Sequence, residues 1–160
     1  MINSYRIAAL TILFVIPSCS STTEPSGEVL PLQGVIEGHV TYDTGSNLPP
    51  GVSKPGLNLH LVSRQIYSAS CYRFWTSKTL DATNLRILVR GVYRPSGPCA
   101  GEMSPACSVV NLGDPKDGVY SLQLADSETV YVGLLQLTGD QITVTFPDTT
   151  RFNFQTSIFP

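Results

Sequence analysis

The sequence predicts an all-β chain folded as an antiparallel two-sheet β-sandwich. Three observations carry that prediction. Apolar residues recur at every second position in several short segments, the period of strands buried on one face. Clusters of glycine, proline and aspartate separate those segments. No stretch holds a helical period for more than about two turns, residues 77–84 being the one candidate.

Taken in order, Ile36, Gly38, Val40 and Tyr42 alternate with Glu37, His39 and Thr41. Leu57, Leu59 and Leu61 then alternate with Asn58 and His60. A short strand is expected over 72–76. Segments 85–93 (LRILVRGVY) and 129–137 (TVYVGLLQL) are more continuously apolar, as strands buried on both faces would be. Further strands are expected over 108–112 and 151–154. Tyr120, Leu122 and Leu124 alternate with Ser121 and Gln123, and Ile142, Val144 and Phe146 with Gln141, Thr143 and Thr145. Turns are expected at Pro49-Pro50, Pro95-Ser96-Gly97-Pro98, Gly113-Asp114-Pro115, Asp117-Gly118 and Gly139-Asp140.

The N-terminus reads as an address. Arg6 precedes an uncharged apolar run, Ile7 to Ile16, of signal-peptide length and too short for a bilayer span. Ser18 then precedes Cys19. Ile16, Ser18 and Cys19 resemble the lipobox of bacterial lipoproteins; Pro17 departs from it. The resemblance implies cleavage before Cys19 and acylation of that cysteine, palmitate included. The non-acidic Ser20 then implies the outer membrane, on its periplasmic or surface face. Ordinary signal-peptidase cleavage near Ser18 or Ser20 is the alternative. Residues 1–18 are therefore read as a lipoprotein signal peptide, 19–33 as the lipidated cysteine and a flexible tether poor in residues to bury, and 34–160 as the β-sandwich domain.

Net charge is −2 and only 14% of residues are charged, with no basic stripe to neutralise phosphates, so nucleic acid is not an expected partner. Within the sandwich class, Asp117-Gly118-Val119-Tyr120-Ser121-Leu122 resembles the tyrosine corner of immunoglobulin-like domains. The resemblance implies that the Tyr120 hydroxyl bonds back to upstream backbone, that Leu122 takes the place of the antibody cysteine, and that the single Trp75 could be the core tryptophan.

Four cysteines are present, Cys19, Cys71, Cys99 and Cys107. With Cys19 used for lipid, one disulfide and one leftover thiol are expected in an oxidising compartment. Cys99 and Cys107 bracket a short loop and form the favoured pair; Cys71 with Cys99 is the alternative.

No nucleophile–base motif, metalloprotease motif or phosphate-binding glycine loop occurs, so no catalytic residue and no cofactor is expected. If residues 36–42 and 57–64 form a hairpin, apolar residues must face apolar ones, with Val40 opposite Leu59 and Tyr42 opposite Leu57. That register sets His39 across from His60, with Glu37 two residues along, a pair of imidazoles of the kind that binds Zn²⁺ or Cu²⁺. Two ligands rarely hold a metal. Arg86, Arg90 and Arg94 alternate along one strand and make a possible binding surface for an acidic protein or glycan. The loop 94–105 and the aromatics Tyr67, Tyr72, Phe74 and Trp75 are further contact candidates. The expectation is a non-catalytic, membrane-anchored binding or structural module of the cell envelope. The alternative is an envelope enzyme or metal-handling protein using His39 and His60.

Overall fold

Every strand expected from the alternation is present in the computed structural model, which describes residues 25, 27–43, 55–81, 83–126, 129–139, 141–155 and 157–158. The signal segment 1–18, Cys19 and the Pro49-Pro50 turn lie outside the described residues. The strands are β1 (Val29–Leu30), β2 (Ile36–Asp43), β3 (Gly56–Tyr67), β4 (Arg73–Asp81), β5 (Asn84–Tyr93), β6 (Ser104–Gly113), β7 (Gly118–Ala125), β8 (Val130–Thr138), β9 (Gln141–Thr145), β10 (Phe152–Gln155) and β11 (Ser157–Ile158). They form a seven-stranded sheet, β1-β5-β7-β8-β9-β11 with β4 on the other side of β5, and a four-stranded sheet, β10-β2-β3-β6. The fold is an all-β sandwich. The helical candidate 77–84 belongs to the β4–β5 hairpin instead.

Neighbours run antiparallel except in two places, β5 beside β7 and β2 beside β10. The wholly antiparallel expectation is corrected there, and the cause is the path between sheets. The chain leaves the large sheet after β5, crosses the small sheet as β6, and returns as β7 in the direction of β5. A crossover through the opposite sheet does the work that a helix does in a βαβ unit.

Alternation decides what is buried. Leu85, Ile87, Leu122, Leu124, Leu135 and Val144 face inward from the large sheet and meet Ile36, Val40, Leu59, Leu61, Val110 and Phe152 of the small one. Gly38 leaves room for an aromatic: a Cβ there would lie 2.3 Å from the ring of Phe154, its register partner. Phe154 in turn stacks on Phe146 with centroids 5.0 Å apart.

Both open sides of the sandwich are closed. On one side the buried Ser108 hydroxyl of β6 donates to the Phe74 carbonyl (3.1 Å) and accepts from the Phe74 amide (3.0 Å), joining β6 to β4 of the other sheet. Lys78 Nζ adds a bond from β4 to the Asn111 carbonyl of β6. On the other side one stretch of chain passes from β10 in the small sheet to β11 in the large one. Closure leaves little free edge for a strand to join.

Structure begins earlier than the tether boundary at residue 33 implies. Val29 and Leu30 pair with Tyr93 and Val92 of β5. Gly91 permits it, since a Cβ would sit 2.7 Å from the Leu30 carbonyl oxygen.

Candidate functional site

The outer face of the large sheet is a grid fixed by strand register. Arg86, Gln123 and Val132 lie in one row across β5, β7 and β8, and Leu88, Ala125 and Val130 in the next. Val130, Val132 and Leu134 are 48%, 52% and 53% exposed, and Val119 on β7 is 55% exposed. This corrects the expectation that residues 129–137 are buried on both sides. Inward-facing Leu135 and Leu137 are buried, whereas the outward aliphatics of the same run meet solvent.

A cleft of about 520 Å³ opens beside this stripe, lined by Trp75, Arg86, Leu88, Arg90, Ala125, Asp126, Thr129 and Val130. Its floor is low because Ala125 is the small residue between Leu88 and Val130. Its upper end is shaped by a β-bulge: Trp75 pairs with Gly91 and Thr76 with Val89, so Arg90 is the extra residue. Bulges re-aim side chains, and here the Arg90 guanidinium lies over the Trp75 ring, 5.2 Å from its centroid.

The bulge also dissolves the expected stripe of three arginines. Arg86 and Arg90 share the cleft. Val92 turns into the core and is fully buried. Arg94 lies past the strand end, in a separate cleft of about 440 Å³ with Glu28, Leu30 and Tyr72. Trp75 is likewise not a core tryptophan, because alternation turns Phe74 and Thr76 inward and Trp75 out.

Charge in the larger cleft is one-sided. Asp126, its one acid, accepts from the Thr129 amide at 2.8 Å and lies 3.3 Å from Arg151 Nε, an ion pair without hydrogen-bond alignment. Among the described residues, neither Arg86 nor Arg90 makes an ion pair with an acid.

The histidine pair stands where the register argument puts it: His39 opposite His60, Val40 opposite Leu59, Tyr42 opposite Leu57. The rings stack with centroids 4.6 Å apart and planes 5° from parallel. An imidazole nitrogen presents its lone pair in the ring plane, so two parallel rings aim theirs along separate planes and do not converge on one ion. His60 Nε2 shares a 2.8 Å hydrogen bond with Thr41 Oγ1. The Glu37 carboxylate accepts from Arg64 Nε at 2.8 Å. Burial lowers the pKa of His39, favouring its neutral form. Among the described residues no group of three or more histidine, cysteine or acidic side chains is placed to hold a metal.

The disulfide joins Cys71 to Cys99, the alternative pairing, with Cα atoms 5.5 Å apart. The favoured Cys99–Cys107 pair assumed that β5 and β6 flank a hairpin loop. They belong to opposite sheets, so the chain between them spans the end of the sandwich and leaves Cys107 inside β6, opposite Val62. Cys107 is also disulfide-bonded, and no described cysteine is a free thiol, which corrects the expected leftover.

The remaining aromatics are divided. Tyr67 and Tyr72 stack at 4.8 Å, while Phe74 is buried. The Tyr120 hydroxyl donates to the Lys116 carbonyl, upstream in the chain, at 2.7 Å. Sequence reasoning missed the apolar stripe, because an aliphatic run carries no mark of which face is covered. With this geometry in hand, no protein-family model matches the chain, no curated protein matches it, and no solved structure matches its fold.

Proposed function

We propose that the chain is an exported β-sandwich, held on a bacterial outer membrane by acyl groups on Cys19, and that it works there as a non-catalytic binding module. The observation that carries the binding reading is the outer face of the large sheet. Four aliphatic side chains about half exposed, on the same face as a cleft whose two arginines make no ion pair among the described residues, suit a contact surface better than a solvated one. Closure of both sides of the sandwich turns recognition away from strand addition and onto a face. The apolar run Ile7 to Ile16 ending at Cys19 supports export and anchoring. The stacked histidines, each engaged with its neighbours, give no support to the enzyme or metal-handling alternative.

Intact-mass spectrometry of the protein extracted from membranes, without reduction, tests the anchor. A chain beginning at Cys19 with added acyl mass is expected, and Cys19→Ser should release the protein into the soluble fraction. Acylation needs the Cys19 sulfur, and with Cys71 bonded to Cys99 it requires the disulfide partner of Cys107 to come from a second chain; an intrachain bridge between Cys107 and Cys19 would overturn the anchor.

A further inference from the structure

We infer that the outer face of the large sheet, from the Arg86–Arg90 cleft to the Val130–Leu134 stripe, is a docking surface for an acidic, aliphatic-rich polypeptide. The inference deepens the binding reading above and is independent of the anchor.

Three features of the face select that partner. The first is charge. Arg86 and Arg90 line the cleft with no acid paired to them among the described residues, while Asp126 is engaged by Arg151 and Thr129. Guanidinium groups recognise carboxylates bidentately. A second copy of the chain laid face to face would set these arginines against one another.

The second feature is the stripe. Val130, Val132 and Leu134 project from alternate positions of β8 over about 13 Å of strand, and aliphatic side chains of a polypeptide fit such a row. Arg86 shares its row with Val132, two strand spacings away, so carboxylates should stand about 10 Å from the aliphatic contacts.

The third feature is the tryptophan. Sugars stack on exposed aromatic faces, but Arg90 covers a face of Trp75 and the stripe is aliphatic. A bilayer is a poor fit as well, because the aliphatics lie on a sheet face instead of a protruding loop. A glycan or an anionic membrane is therefore an outcome of the test and not its expectation.

Trp75 is the only tryptophan in the chain, so its fluorescence reports on the cleft alone. The protein, purified from whichever cell fraction holds it and kept in phosphatidylcholine nanodiscs if acylated, is titrated with an acetylated, amidated dodecapeptide of leucine, glutamate and glycine. Matched peptides carry lysine for glutamate or serine for leucine; polygalacturonate and phosphatidylglycerol vesicles complete the set. A saturable change in Trp75 emission is expected with the acidic, leucine-containing peptide. Its Kd should rise at least tenfold in Arg86→Gln and in the double variant Val132→Ser/Leu134→Ser, outward positions whose melts should match the parent. An equal response to the lysine or serine peptide overturns the inference. So does a response confined to polygalacturonate or to the vesicles, or no saturable response at all. None of these results alters the acyl mass on Cys19, so the docking surface and the anchor fail separately.

Discussion

The two outward faces of the sandwich obey the same period-two rule and carry opposite chemistry. On the small sheet the outward residues of β2 and β3 satisfy one another. Glu37 pairs with Arg64, His39 stacks on His60, and Thr41 shares a hydrogen bond with His60. On the large sheet the outward residues of β8 include Val130, Val132 and Leu134 ahead of Gln136 and Thr138, and Arg86 and Arg90 on the same face make no ion pair among the described residues. One face is matched within itself; the other leaves aliphatics exposed, which is why we propose it as a contact surface. A contact surface can therefore be read from unmet chemistry without any catalytic group.

The sharpest way to break that comparison is a pair of neighbours on β8. Leu135 faces the core at 1% exposure, whereas Leu134 faces out at 53%. Leu135→Ala should destabilise by up to about 5 kcal/mol through lost burial and the cavity left behind. Leu134→Ser should stay within about 0.5 kcal/mol, as surface substitutions do. Urea unfolding of both variants measures the difference. If Leu134→Ser costs as much as its neighbour, the outer face is covered in the free protein and is no docking surface.

Next in size is the bridge that ties the two faces together. Cys71 sits where the chain passes from β3 to β4, and Cys99 where it passes from β5 to β6, so each anchors a crossing between sheets. The bridge closes a sequence separation of 28 residues, and removing it with Cys71→Ala/Cys99→Ala should cost about 2–4 kcal/mol. Hydrogen exchange should then quicken on both faces alike, since both crossings are released. Peptide mapping without reduction should recover Cys71 linked to Cys99, and a Cys99–Cys107 peptide would refute the pairing.

What could be read from the sequence follows from how local each determinant is. The β2–β3 register was legible because leucines at 57, 59 and 61 must meet apolar partners on β2, and a shift of one residue would turn all of them to solvent. His39 opposite His60 came with it. That Tyr120 bonds to upstream backbone was legible because the acceptor, the Lys116 carbonyl, lies only four positions earlier in the chain. The parallel pairings were not, since that of β5 with β7 depends on which sheet the chain visits between them, and that of β2 with β10 joins strands from opposite ends of the domain. Disulfide connectivity failed for the same reason. The cleft depended on one extra residue at Arg90, and a bulge shifts alternation without any change of composition. The exposure of β8 was hidden because TVYVGLLQL is aliphatic on both faces, and only the tertiary fold says which one is covered.

The smallest expected effect belongs to the small sheet and tests whether its outer face really is self-contained. Burial holds the His39 pKa below the usual imidazole value of 6.5. The unfolded chain therefore takes up a proton on this residue more readily than the folded one as pH falls through that value. Where the unfolded state binds more protons, stability rises with pH. The contribution of His39 is thus fully present above pH 6.5 and is lost on acidification towards its lowered folded pKa. Asp148, lowered by hydrogen bonds from the Thr150 hydroxyl and amide, starts from 3.8 and acts only in more acid solution, outside this window. The urea midpoint should accordingly fall between about pH 7.5 and 5.5, because protonation must desolvate a charge against the His60 ring. His39→Gln should flatten that slope even if the loss of stacking lowers stability at every pH. Parallel pH profiles for the parent and His39→Gln would mean that the pair is not buried enough to resist a proton, and the contrast between the faces would rest on the large sheet alone.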